Sequence, residues 1–177
     1  MSTDEKDSNT NPSRLTRRAF VKLGGATVSG SMAVGMVPAL AALPVPEKPR
    51  DYPVADIARL DAVKVDSPIS FTYPDESSPA VLLRLRDAAI GGIGPGKSIV
   101  AYSILCTHKG CPVGYRPERR MMICPCHWSS FDPAKAGQMV IGQGSQALPQ
   151  IALRVQGNTI QAIGIEGLIY GRHTNIL

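Results

Sequence analysis

Six of the seven cysteine and histidine side chains in this chain lie in two short segments. Its four cysteines and three histidines leave only His173 outside residues 106–127. The first segment reads CTHKGC at 106–111, and the second reads CPCHWS at 124–129. Each offers one thiol and one imidazole two or three residues apart, plus a second thiol. Thiolates and imidazoles are donors that transition metals prefer, so this spacing predicts a metal or redox centre. His173 is expected to be an ordinary surface histidine.

Two kinds of metal site fit these donors. One thiol and one imidazole from each segment supply four ligands: Cys106, His108, Cys124 and His127. Two cysteines and two histidines also make a structural zinc site, but zinc fingers group like ligands together. Here each segment mixes the two types, which favours a binuclear iron centre whose irons take thiolates and imidazoles separately. Zinc would leave Cys111 and Cys126 unexplained, whereas these two thiols could pair as a disulfide between the segments.

The two segments resemble the cluster-binding boxes of the Rieske [2Fe–2S] family, Cys-x-His-x-x-Cys and Cys-x-Cys-His-x-Ser, with fifteen residues between His108 and Cys124. The resemblance implies a Rieske-type [2Fe–2S] cluster with two cysteines on one iron and two histidines on the other. It also implies a disulfide and a serine hydroxyl that donates to a cluster sulfide. In this chain the resemblance puts Cys106 and Cys124 on one iron and His108 and His127 on the other. It makes Cys111 and Cys126 the disulfide and Ser129 the serine that donates the hydroxyl. No catalytic acid, base or nucleophile is expected on this chain.

This ligand set bears on the reduction potential. Two ferric ions, two sulfides and two thiolates carry no formal net charge, which eases reduction. Rieske centres therefore lie at about −150 to +300 mV, against roughly −400 mV for plant-type ferredoxins. Exposed imidazole ligands can lose protons, so we expect the potential to fall as the pH rises. Phe131 occupies a position where high-potential family members carry tyrosine, which predicts a lower potential here. Trp128, where a small residue is common, is expected to shield the cluster or to form a docking surface.

Short strand-like segments joined by Gly- and Pro-rich turns surround the two boxes. Apolar and alternating runs predict strands at 62–65, 69–73, 80–85, 98–105, 151–155 and 159–165, the last two as a hairpin. No sustained helical period is found outside the N-terminal segment. We therefore predict an all-β domain at 61–177, by resemblance a Rieske-type antiparallel β-sandwich or open barrel. A loop-rich cluster-binding subdomain is inserted at about 105–145. Residues 43–60, which contain four prolines, are expected to be an extended lead-in.

The first 42 residues have the features of an export signal. RRAFVK at 17–22 resembles the twin-arginine motif, an uncharged apolar stretch follows, and PALAA at 38–42 offers a cleavage pattern. We predict a twin-arginine signal peptide at 1–42 and a periplasmic location, where disulfides persist. The alternative is a retained anchor, and only then is a membrane attachment expected. The net charge of +5 comes without a basic run interleaved with aromatics, so no nucleic-acid partner is expected.

Beyond the boxes, four segments resemble the small subunit of arsenite oxidase. They are PISFTYP at 68–74, VAYSILC at 100–106, FDPAKAGQ at 131–138 and GLIYGR at 167–172. The resemblance implies an electron-transfer subunit of an oxidoreductase, paired with a molybdopterin-containing large subunit that oxidises arsenite to arsenate. The acceptor would be a c-type cytochrome or a cupredoxin. The alternative is the Rieske subunit of a membrane quinol-oxidising cytochrome bc complex. Its third cluster loop is usually proline-rich, whereas residues 137–144 contain no proline.

Overall fold

The computed structural model of the chain describes residues 51–176. The predicted signal at 1–42 and the lead-in up to residue 50 lie outside the described residues. Between residues 51 and 176, no helix is long and apolar enough to span a bilayer. Two short 3-10 helices, Leu60–Ala62 and Pro95–Lys97, accompany ten β-strands. The strands are β1 (Ala55–Arg59), β2 (Ile69–Thr72), β3 (Pro79–Arg84), β4 (Ile99–Ser103), β5 (Gly114–Arg116), β6 (Met121–Ile123), β7 (Ser130–Asp132), β8 (Gln138–Ile141), β9 (Gln150–Gln156) and β10 (Thr159–Glu166).

Six strands form the larger sheet, in the order β1-β10-β9-β4-β3-β2, and every neighbouring pair is antiparallel. The central strand β4 is buried along its whole length. Because side chains alternate between the two faces of a strand, Ile99 and Ala101 join one buried cluster while Val100 and Tyr102 join another. β3 divides in the same way, with Leu82 in the first cluster and its neighbouring strand positions in the second. The sheet is therefore covered on both faces.

The remaining four strands form a smaller antiparallel sheet in the order β5-β6-β7-β8. It is inserted between β4 and β9 and packs on the second buried cluster, to which it contributes Met122 and Phe131, both fully buried. Three connections converge around this sheet. We call them loop 1 (residues 106–111, between β4 and β5), loop 2 (124–129, between β6 and β7) and loop 3 (142–148, between β8 and β9). The two Cys/His segments predicted to bind a metal therefore follow the ends of buried strands.

The prediction of an all-β fold is confirmed, and the strands at 69–73, 80–85 and 98–105 and the 151–165 hairpin match β2, β3, β4, β9 and β10 within one or two residues. The strand predicted at 62–65 is wrong: a 3-10 helix ends at Ala62, and only Val65 makes an isolated bridge, to Arg84. The insertion is less loop-rich than expected, since it contains β5 to β8. The domain limits stay a prediction, although β1 pairs with β10 and so extends the sheet six residues before position 61.

Candidate metal centre

Loops 1 and 2 share one backbone hydrogen-bond pattern. In each, the N–H of the fifth residue donates to the carbonyl of the first, and the N–H of the first donates to the carbonyl of the sixth. These bonds are 2.8 and 2.9 Å long in loop 1, and 3.0 and 2.9 Å long in loop 2. Each loop therefore begins with a cysteine fixed at the end of a buried strand, and its histidine follows two or three positions later.

Two reduced thiols lie at the base of the loops. Cys106 and Cys124 are each 1% exposed, and neither takes part in a disulfide. Burial raises the pKa of the Cys106 thiol, the backbone N–H of His108 opposes that shift, and the nearby Cys124 adds to it. A pair of thiolates at this depth needs a compensating cation, as a metal centre would provide.

Two imidazoles complete the arrangement. The ring centroids of His108 and His127 are 4.7 Å apart, and the ring planes meet at 80°. His127 is exposed, whereas Nδ1 of His108 is buried and has no hydrogen-bond partner in the described part of the chain. An unsatisfied buried nitrogen costs about 1–3 kcal/mol. A metal ion bound to Nδ1 would remove that penalty, so the donor set fits an iron–sulfur cluster.

A second group of sulfur atoms lies beside this set. The sulfurs of Cys111, Cys124 and Cys126 are all within 4.8 Å of one another, but Cys111 and Cys126 are joined in a disulfide across a Cα–Cα distance of 6.5 Å. Because disulfide sulfurs are not thiolates, Cys124 is the one sulfur of the three that is available to bind a metal. The disulfide implied by the resemblance is therefore present, and it ties loop 1 to loop 2.

Loop 3 holds both other loops from the side, a role that the sequence reasoning missed. The Gln143 N–H donates to the Ser129 hydroxyl at 3.1 Å, the Thr107 hydroxyl donates to the Gln146 carbonyl at 2.8 Å, and the Ser145 hydroxyl donates to the Thr107 carbonyl at 2.9 Å. Ser129 is fully buried, and its oxygen accepts the bond from Gln143, so its own proton would be available to donate to a cluster sulfide. The glycines of loop 3 are the signal that could have shown this approach: a Cβ at Gly142 would collide with Ser129.

The C-terminal segment 167–176 covers loop 1. A Cβ on Gly110 would lie 2.8 Å from the ring of Tyr170, so this ring rests on the loop. The segment is anchored to the connection between β2 and β3, where the Arg172 guanidinium donates to both oxygens of Asp75 at 2.6 and 2.8 Å. Arg172 holds the pKa of the Asp75 carboxyl well below its usual range, and partial burial opposes part of that shift. Residues 167–172 were singled out above only for their resemblance to a known family, and their contact with loop 1 is a feature of the structure.

Comparisons with known proteins agree with this geometry. A family profile described as the Rieske [2Fe-2S] domain matches residues 54–152. Iodate reductase subunit IdrB of Denitromonas iodatirespirans is 37% identical over 165 residues, covering 91% of this chain and 86% of that protein. The cytochrome bc1 complex Rieske iron-sulfur subunit of Streptomyces lividans is 40% identical over 70 residues, or 38% of this chain and 41% of that one. The soluble domain of Rieske protein II from Sulfolobus acidocaldarius shares the fold, with a TM-score of 0.62, 21% identity, and coverage of 69% of this chain and 82% of that one.

Proposed function

Because this chain belongs to the Rieske [2Fe–2S] family, we propose that it is the electron-relay subunit of a molybdopterin-containing oxidoreductase. Its cofactor is a Rieske-type [2Fe–2S] cluster. Cys106 and Cys124 would hold one iron, and His108 and His127 the other. The observation that carries this assignment is the orphaned, buried Nδ1 of His108 beside two buried free thiols and a second imidazole. These four are the only thiol and imidazole side chains of loops 1 and 2 that lie outside the disulfide.

When bound, the cluster supplies reversible one-electron chemistry. The chain's own residues shield one side of the site from water and restrain the loops. The two cysteines are sealed from water at the ends of β4 and β6, whereas His127 reaches the surface, so one side of the site is insulated and the other is open to a partner. The disulfide and loop 3 keep the loops in one geometry, which limits the rearrangement that accompanies a change of charge. No general acid, base or substrate pocket is part of this role.

Two substrates of the whole complex are candidates. The segments at 68–74, 100–106, 131–138 and 167–172 favour arsenite oxidation by the large subunit, with electrons leaving through this chain to a c-type cytochrome or a cupredoxin. The similarity to a curated iodate reductase subunit over 91% of this chain favours a second candidate, iodate reduction, in which electrons would travel in the opposite direction. In both candidate reactions this chain would relay electrons, and a partner subunit would carry out the chemistry on arsenite or iodate.

The quinol-oxidising cytochrome bc complex is the weaker alternative. The similarity to a bc1 subunit covers only 38% of this chain, whereas the iodate reductase subunit is matched through both sheets. Loop 3 is also tethered by glycines and polar side chains, in place of a proline-rich loop. We keep export through the twin-arginine route and a periplasmic location as part of the proposal, since a cluster-containing chain would be exported folded.

Purification of the native complex tests the proposal. A copurifying molybdenum-containing subunit is expected, and no cytochrome b. Arsenite-dependent reduction of an oxidised dye would assign an arsenite oxidase, and iodate-dependent oxidation of a reduced dye would assign an iodate reductase. Copurification with cytochrome b and quinol-dependent reduction of this chain would contradict the proposal and establish the alternative.

A further inference from the structure

A cleft of about 160 Å³ lies beside loop 2, between that loop and the turn that joins β5 to β6. Its lining residues are Arg116, Glu118, Arg119, Ile123, Pro125 and Trp128, and we call this surface the Arg–Trp face. Pro125 lies between the ligand Cys124 and the disulfide residue Cys126, and Trp128 follows His127 directly. Anything seated on this face would therefore touch the loop that carries half of the proposed ligands.

Trp128 contributes little burial energy to the fold, because most of its side chain stays in contact with solvent. Its side chain is 68% exposed, and its backbone is in the left-handed region with a φ of 60°. The equivalent fifth position of loop 1 is Gly110, which has a φ of 73° and no side chain to strain. A non-glycine residue in this conformation costs about 1–2 kcal/mol. Packing within this chain does not offset the unfavourable backbone conformation of Trp128, because the indole ring is exposed. The ring is therefore suited to a contact with another molecule.

The charges around the tryptophan have one dominant sign. Between residues 105 and 145 the chain has five basic residues and two acidic ones, whereas the rest of the described chain has seven basic and eight acidic. Arg116 and Arg119 are exposed, and neither has an ion-pair partner within residues 51–176. Glu118 is the only acidic group lining the cleft. The surface near the proposed cluster is thus basic, while the remaining body is close to neutral.

We infer that the Arg–Trp face is the docking surface for a soluble one-electron carrier whose own redox site is ringed by carboxylates around an apolar patch. The inference rests on the proposed relay function and specifies the partner chemistry. Unpaired arginines would steer an acidic partner, and the exposed indole would provide a desolvated central contact, since tryptophan and arginine are the residues enriched at such centres. One aromatic ring in a small cleft, flanked by free charges, suits a transient encounter, because permanent subunit interfaces are larger and more apolar.

The test uses one carrier in two charge states. Native lysine-rich cytochrome c and the same cytochrome with succinylated lysines are mixed with the reduced holoprotein in a stopped-flow instrument. One electron passes from the reduced protein to the ferric haem, and no covalent bond forms or breaks. We expect the succinylated cytochrome to react faster at low ionic strength, with a rate that falls as salt is added.

Charge-matched variants locate the surface. Arg116→Gln with Arg119→Gln is expected to lower the low-salt rate about three- to tenfold. Lys97→Gln with Arg154→Gln removes the same two charges from exposed positions away from this face, one in the 3-10 helix before β4 and one in β9, and should leave the rate close to wild type. Trp128→Ala should lower the rate about tenfold at every salt concentration, and Trp128→Phe should restore most of it. The visible spectrum of each variant verifies that the cluster is intact.

Several results would overturn the inference. They are a preference for the native lysine-rich cytochrome, an equal loss in both double variants, and a Trp128→Ala variant that reacts like wild type. Loss of the large subunit from the Arg116/Arg119 variant would also overturn it, because the face would then belong to the permanent complex. Failure of the reduced protein to reduce either cytochrome or ferricyanide would instead refute the relay function itself, and so the two failures are distinguishable.

Discussion

Phe131 is the residue through which this chain is expected to set its potential below that of high-potential relatives. It is fully buried in the same cluster as Cys106 and Cys124. We expect Phe131→Tyr to raise the reduction potential by roughly 20–60 mV, the equivalent of one hydrogen bond to the reduced centre. Protein-film voltammetry measures the shift, and Phe131→Leu, which adds no hydroxyl, is the control. An unchanged potential in Phe131→Tyr would show that position 131 does not tune the cluster.

Ser129 provides a second residue-level prediction. Its oxygen accepts the Gln143 N–H, so the hydroxyl proton would be available to donate to a sulfide of a bound cluster. Ser129→Ala should therefore lower the reduction potential by roughly 20–60 mV, with a loss of stability because the Gln143 N–H becomes unpaired. Ser130→Ala is a matched control, since the Ser130 hydroxyl donates to the Trp128 carbonyl at the surface. A redox titration that shows equal potentials for the two variants would remove Ser129 from this role.

At the level of structural elements, the conformation of the three loops is stabilised by hydrogen bonds from one loop to another, and not only by residues within each loop. The boxes in loops 1 and 2 could be predicted because ligand spacing is local, but the supports could not. Thr107 and Gln146 are 39 positions apart, and loop 3 has no motif beyond its glycines. For the same reason β5 to β8 were missed: strands of three or four residues are too short to show a period.

Gly142 tests the coupling between loops 2 and 3. It has a φ of 122°, and a Cβ there would collide with the backbone and side chain of Ser129. We expect Gly142→Ala to displace loop 2, reducing both the iron content per chain and the thermal stability. Gly157→Ala is the control, because Gly157 also has a positive φ (60°) but nothing lies within 4 Å of the added carbon. It should cost only about 1–2 kcal/mol and retain the full iron content. Equal iron contents in the two variants would contradict this coupling.

At the scale of the whole molecule, the C-terminal segment joins the larger sheet to loop 1. Apolar and alternating runs predicted five of the six strands of the larger sheet, and β1 was missed because it lies in the segment expected to be an extended lead-in. The anchoring contacts could not be predicted, because they connect residues far apart in sequence. Arg172 and Asp75 are 97 positions apart, and neither position differs from any other surface charge in the sequence. Tertiary ion pairs of this kind have no local signal, which is why this part of the site appeared only in the structure.

The Asp75–Arg172 pair makes stability depend on pH. The side chains are only 30% and 12% exposed, and the folded-state pKa of Asp75 is lowered from an ordinary value of 3.8. The pair therefore contributes stability above about pH 4, which is lost as the pH falls below it. Asp75→Asn should lower the free energy of unfolding at pH 7 by about 1–3 kcal/mol, and the difference from wild type should shrink below pH 4.

Denaturant titrations of the holoprotein at pH 7 and pH 3.5 measure this effect. Asp61→Asn is the control, because Asp61 pairs with Arg59 in an exposed position and solvent screens that pair. A difference between wild type and Asp75→Asn that stays constant over the two pH values would contradict the assignment of the lowered pKa to this contact.

The most direct test of the account is pulsed electron paramagnetic resonance of the reduced, purified protein. The combination of two buried free thiols and two adjacent imidazoles in loops 1 and 2 predicts a mixed-valence [2Fe–2S] signal with two strongly coupled nitrogen nuclei. One of these couplings should disappear on replacement of His108 and the other on replacement of His127. A protein that contains zinc without iron, or a cluster signal without strongly coupled nitrogen, would contradict it.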